Sequence, residues 1–137
     1  MGDSEKYQDL GNKIFDEIDK KSGVEIFGQL VGKGERLINI GAANYFTGIF
    51  SAGGKLLLTD QNLYFRAHAV NVGRKECKIA LSEIVEVEIA LNLLISQHLV
   101  IYTNSDSHRF VVFHGKQWLE NIKKAMANLI KNLPLLQ

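Results

Sequence analysis

The chain has 137 residues, of which 46% are hydrophobic, which suits a single domain with an ordinary buried core. Its formal net charge of +1 argues against the broad positive field that nucleic-acid binding uses. The single cysteine, Cys77, excludes an internal disulfide, and no apolar run is long enough to span a bilayer, so we expect a cytoplasmic protein.

The N-terminal part predicts an amphipathic helix over residues 3–20. Its apolar side chains recur at spacings of three and four, at Tyr7, Leu10, Ile14, Phe15 and Ile18. This stripe must be buried on the chain's own sheet or on a second copy, so a homodimer through the helix is an open alternative. Residues 24–31 fit neither helix nor strand clearly. We treat residues 1–31 as a helical extension and residues 32–137 as the main domain.

The main domain predicts short strands that alternate between apolar and polar residues. The clearest is a hairpin in which Leu56 and Leu58 precede a Thr-Asp-Gln-Asn turn and Leu63 and Phe65 follow it. Residues 44–53 are expected to be a long apolar link before this hairpin. The seven predicted strands are residues 37–43, 55–59, 63–68, 74–80, 85–91, 98–103 and 108–113.

One predicted strand and one helix have especially regular patterns. In residues 85–91 the apolar side chains alternate with Glu86 and Glu88, which is typical of a half-buried strand. Residues 116–133 predict a closing helix, and Pro134 ends it. The apolar face of this helix could cover one end of a bent sheet and consists of Trp118, Ile122, Ala125, Leu129 and Leu133.

The hairpin and the segment after it resemble a known family. The hairpin residues that carry the resemblance are Gly54, Leu56, Leu58, Thr59, Asn62, Leu63 and Phe65, and residues 79–87 add an Ile-x-Leu-x-Glu-Ile-x-x-Val pattern. This pattern resembles the GRAM domain, a member of the pleckstrin-homology-like superfold, and looks most like its small stand-alone bacterial form. The resemblance covers residues 34–133. It implies a mostly β fold, with a seven-stranded antiparallel barrel or orthogonal sandwich and a C-terminal helix as a cap.

The resemblance also implies binding to phosphoinositides, other anionic lipids or proteins. In the implied topology four basic residues lie near strand ends on one side, where they could converge on a phosphate: Lys55, Arg74, Lys75 and Arg109. The alternative is that they are ordinary solvated charges. Four apolar residues of the predicted link could enter a bilayer interface: Tyr45, Phe46, Ile49 and Phe50. The alternative is that they pack under the sheet.

The remaining chemistry-bearing residues do not predict an enzyme. Cys77 alternates with Ile79 in a predicted strand and is expected to be buried, and no nucleophile–base pair can be named. The four histidines lack a metal-binding spacing, and no glycine-rich segment fits a nucleotide loop. We therefore predict no enzyme, metal or cofactor. The predicted function is reversible attachment to an anionic membrane surface or to a protein, and the alternative is a self-associating adaptor without lipid affinity.

Overall fold

The structure is a computed structural model that describes residues 24–26, 29–32, 34–47, 50–67, 76–91 and 97–132. The predicted N-terminal helix, and the homodimer that it could form, lie outside these residues. The described elements are β1 (Val24–Ile26), β2 (Gln29–Val31), β3 (Leu37–Thr47), β4 (Phe50–Thr59), β5 (Asn62–Ala67), β6 (Glu76–Ala80), a 3₁₀ turn (Leu81–Glu83), β7 (Ile84–Leu91), β8 (Gln97–Thr103), β9 (Ser107–Val112) and α1 (Gly115–Lys131).

Seven strands form one antiparallel sheet in the order β6-β5-β4-β3-β9-β8-β7. β5 and β9 are three strands apart in this order, about 14 Å if the sheet were flat. The rings of Phe65 on β5 and Phe110 on β9 nevertheless have centroids only 5.8 Å apart. The sheet therefore folds over, with its two halves facing each other across a shared core.

Of the two expected forms, a barrel or an orthogonal sandwich, the described part of the chain does not form a closed barrel. The sheet's edge strands, β6 and β7, pair with one neighbour each and not with each other. The 3₁₀ turn links these edges, and α1 contacts β3, β7, β8 and that turn. The inner face is thus covered by the helix and by the facing half of the sheet, which leaves hydrogen-bonded closure unnecessary.

A second, smaller core lies on the outer face of the sheet. Within residues 24–31, whose class the sequence left open, β1 and β2 are antiparallel strands in which Val24 is paired with Val31. Val31 packs against Ile40, Leu57 and Tyr64, which point away from the main core. This strand pair therefore covers part of β3, β4 and β5 from outside.

The predicted link over residues 44–53 is wrong, because most of it belongs to β3 and β4. These strands pair continuously from Ile40 and Leu57 to Thr47 and Phe50. Gly53 falls at the end of the predicted link, and Gly54 beside it allows a close approach between β4 and β5. A Cβ atom at Gly54 would overlap the carbonyl oxygen of Arg66 on β5.

The alternation predicted for residues 85–91 is interrupted at its start. The pairing register of β7 with β8 shifts between Ile84 and Glu86. Ile84 and Val87 are buried, whereas Val85, which was expected to point inward, is 55% exposed. The extra residue of this bulge reverses the inward and outward positions before Glu86.

The closing helix packs as its sequence predicts. Trp118, Ile122 and Ala125 are buried in the main core and Leu129 packs against it, which confirms this part of the predicted apolar face, whereas Leu133 lies outside the described residues. The helix begins after His114, whose φ of 58° is left-handed, and the Gly115 N–H donates to the Gln97 side chain at 2.7 Å. Within the described residues, no helix is long and apolar enough to cross a membrane.

Candidate functional site

The structure describes two of the four basic candidates and places them apart. Lys55 on β4 and Arg109 on β9 both lie on the outer face, opposite Ala42 and Phe46 of β3. Ala42 and Phe46 are four residue steps apart, about 13 Å along the strand. Contrary to the expectation from the sequence, Lys55 and Arg109 therefore lie too far apart to bind one phosphate together. Arg74 and Lys75 lie outside the described residues.

The four candidates for loop insertion are not together on a loop. Tyr45 is a strand residue that is only 4% exposed, and its ring stacks on Phe110 at a centroid distance of 4.8 Å. The expectation that Tyr45 enters a bilayer interface is therefore wrong, because its side chain fills the main core. Phe46 is half-buried on the outer face of β3. Phe50 begins β4, and Ile49 lies outside the described residues.

Two candidates from different predicted sets meet on the outer face. Phe46 and Arg109 are cross-strand partners on β3 and β9, and His98 of β8 lies next to both. The His98 ring stacks on Phe46, with centroids 5.9 Å apart and planes 21° from parallel. His98 Nδ1 lies 3.4 Å from Arg109 Nη1. We call Phe46, His98 and Arg109 the outer-face site.

The chemistry of this contact determines the state of the His98 ring. A guanidinium can only donate, so Nδ1 of His98 must be its unprotonated acceptor. Burial, followed by the charge of Arg109, lowers the pKa of His98 below its ordinary value. The His98 ring is therefore neutral near pH 7 and holds the guanidinium of Arg109, whose side chain is exposed.

Acidic and phenolic groups border the outer-face site. Val100 is the neighbour of Arg109 on β8, and the next strand carries Glu88 opposite Val100. The Tyr102 hydroxyl donates to Glu88 at 2.7 Å, and this hydrogen bond raises the pKa of Tyr102. The Tyr102 hydroxyl thus engages one Glu88 oxygen. Arg109 is the cationic residue of the outer-face site.

A second polar cluster lies at the margin of the main core. The Tyr45 hydroxyl is 2.7 Å from His108 Nδ1, and the sulfur of Cys77 is 3.7 Å from the same nitrogen. Cys77 is buried as predicted. No group of three metal-ligating side chains occurs among the described residues. This cluster joins β3, β6 and β9 across the fold and gives the thiol little access to a substrate.

A buried carboxylate is the polar group that sequence reasoning missed. Glu35 is 4% exposed, and its oxygens accept from Thr59, Asn62, Tyr64 and the Gly32 N–H at 2.6–2.9 Å. Burial raises the pKa of Glu35, but these hydrogen bonds together outweigh burial and leave it below its ordinary value. The ionised group ties the approach to β3 to the β4–β5 hairpin. The adjacent Thr-Asp-Gln-Asn turn was the available signal, because it supplies two of the donors.

The pH dependence of the free energy of unfolding tests the environment of His98. Since the folded-state pKa is lowered, only the unfolded chain takes up this proton as the pH falls below about 6.5. We expect the wild type to lose more of its free energy of unfolding between pH 7.5 and 5.5 than His98→Gln, whose amide oxygen can still accept from Arg109. Urea unfolding at both pH values measures this, and parallel losses in the two proteins would contradict it.

Comparison with known proteins identifies the fold. The GRAM domain family model matches residues 22–134. The Vps36 N-terminal PH domain superposes with a TM-score of 0.62 at 17% identity, over 77% of this chain and 90% of that chain. The solution structure of the N-terminal PH domain of human ARAP2 gives 0.54 at 12% identity, over 72% of this chain and 87% of that chain. No curated protein matches the chain.

A third similar structure contains its domain within a larger assembly. It is the DH/PH domain of human ARHGEF11 in a ternary complex with human RhoA and its inhibitor. The TM-score is 0.54 at 14% identity, and the superposition covers 70% of this chain and 30% of that chain. At such identities the likeness establishes the shared fold.

Proposed function

The chain belongs to the GRAM domain family, and from that membership we propose that it is a non-enzymatic module that attaches reversibly to anionic lipid, with the outer-face site as a contact. Domains of this fold are typically lipid- or protein-binding modules. The observation that carries the proposal is the exposed guanidinium of Arg109, which lies beside the stacked rings of Phe46 and neutral His98. A phosphate or carboxylate can accept two parallel hydrogen bonds from such a group.

The surroundings of Arg109 support a role in binding rather than in catalysis. The guanidinium has an aromatic ring beside it, which suits contact with the interface between headgroups and acyl chains. His98 holds the guanidinium in place without neutralising its charge, because the imidazole ring is itself neutral. Lys55 lies elsewhere on the same face, and its role, like those of Arg74 and Lys75, stays a prediction.

Replacing Arg109 tests the proposal directly. We expect Arg109→Gln to weaken binding to vesicles that contain anionic lipid by about tenfold, the value of one charge-assisted contact. Co-sedimentation of the full chain with phosphatidylcholine vesicles, with and without phosphatidylserine or phosphoinositide, measures the effect. Arg36→Gln removes an equal charge from an exposed residue outside the site and is the matched control.

The outcomes separate lipid from protein binding. Equal binding by the two variants would remove Arg109 from the contact. Absence of wild-type binding to every anionic vesicle would contradict attachment to lipid. It would favour a protein partner, as in the assembly of the DH/PH domain with RhoA.

A further inference from the structure

The exposed face of α1 carries a strip of lysines that is separate from the outer-face site. Its apolar face, with Trp118, Ile122 and Ala125, is buried in the main core. At 3.6 residues per turn, the lysines opposite that face fall within an arc of about 100°. These lysines are Lys116, Lys123, Lys124 and Lys131, and all four are exposed. We call them the helix lysines.

The helix lysines form an extended strip rather than a pocket. Lys116 and Lys131 are about 22 Å apart along the axis. Glu120 is the one acidic residue of α1, and among the described residues no helix lysine forms an ion pair. Such a row, with four cations around one carboxylate, complements a continuous anionic surface, whereas a single headgroup would require convergence.

An apolar margin accompanies the strip along one side of the helix. Ile130 is 69% exposed, and the half-buried Leu119 and Met126 lie on the same side. On the helical wheel these three residues lie directly beside Lys123. A lipid interface can receive both parts of this surface, with the ammonium groups among phosphates and the Ile130 side chain below them.

We infer that α1 lies along anionic membranes through the helix lysines and Ile130, as a contact additional to the outer-face site. The inference rests on the proposed lipid-binding function but not on Arg109. Attraction near an anionic leaflet is worth about fivefold in affinity for each lysine at low ionic strength. Four together would give the domain a salt-sensitive hold on any anionic bilayer, whichever headgroup the other site selects.

The test uses the full chain and vesicles of phosphatidylcholine with or without phosphatidylserine. Replacing all four helix lysines with glutamine is expected to weaken binding to the anionic vesicles by at least about a hundredfold. Binding of the wild type should fall steeply between about 0.1 M and about 1 M salt, while the variant, which keeps Arg109, should show a weaker salt dependence. Circular dichroism and urea unfolding establish that the variant is folded.

A gain-of-charge pair provides the matched control. Glu120→Lys adds a cation to the strip and should tighten binding by about tenfold. Asp106→Lys makes the same charge change on the exposed β8–β9 turn and should have little effect.

Each outcome supports or overturns the inference. Unchanged vesicle binding after loss of the four lysines, or equal tightening by Glu120→Lys and Asp106→Lys, overturns it. If Arg109→Gln alone abolishes binding, the proposed function stands and the helix contact fails. If the wild type binds polyglutamate but no anionic vesicle, both lipid proposals fail and the strip is a site for acidic proteins.

Discussion

A Glu35→Ala variant is expected to lose at least about 3 kcal/mol of its free energy of unfolding. The substitution removes the shared acceptor of Thr59, Asn62, Tyr64 and the Gly32 N–H. Thr59 and Tyr64 are almost completely buried, so water cannot easily replace the lost carboxylate. Urea unfolding measures the change, which is a large part of the roughly 5–15 kcal/mol typical of a domain.

Two further variants separate this network from ordinary surface charge. Glu76→Ala breaks the exposed ion pair with Arg66 and should change stability by less than about 0.5 kcal/mol. Glu35→Gln keeps the side-chain volume and one acceptor oxygen, so its loss should be intermediate. A Glu35→Ala loss no larger than that of Glu76→Ala would show that the network contributes little.

The loss of stability at acid pH should also report on Glu35. The pKa of Glu35 is lowered in the folded state, so its contribution is present above about pH 4.5, its ordinary value. The contribution is lost as the pH falls through the lower folded-state value. The wild type should therefore lose stability more steeply at acid pH than Glu35→Gln, which has no proton to gain at this position.

Replacing Trp118 with alanine should cost about 3–5 kcal/mol. The ring is 3% exposed and belongs to the main core, and a Cβ atom on Gly41 of β3 would lie 3.4 Å from it. Truncation therefore removes the contact between α1 and β3 and leaves a cavity. Thermal and urea unfolding should both move to milder conditions.

Ile130 provides the comparison on the same helix. It is largely exposed, so Ile130→Ala should change the free energy of unfolding by less than about 0.5 kcal/mol. Equal losses for Trp118→Ala and Ile130→Ala would mean that the helix does not depend on its buried face. Far-ultraviolet circular dichroism can verify that both variants keep α1 before unfolding.

Local patterns predicted those parts of the fold whose partners are close in sequence. Leu56, Leu58, Leu63 and Phe65 alternate across one short turn, and the structure pairs their strands as expected. Trp118 followed the periodicity of its own helix. In each case the residues of one element set the pattern, and tertiary packing did not alter it.

Other features depend on register between distant strands, which no local pattern encodes. Phe46 and Arg109 become neighbours only through the pairing of β3 with β9. The bulge at Val85 reversed an alternation that looked regular. The close approach of β5 to Gly54, which excludes a side chain at this position, likewise cannot be seen from the sequence.

The connection between the two halves of the sheet has a consequence for biosynthesis. Ala43 on β3 pairs with Val112 on β9, which is about 70 residues later in the chain. When β3 leaves the ribosome, the backbone groups on its β9 side therefore stay unpaired until almost the whole domain has been translated. We expect nascent chains that stop before β9 to expose that side of β3 and to be recognised by chaperones, whereas chains that include α1 escape them.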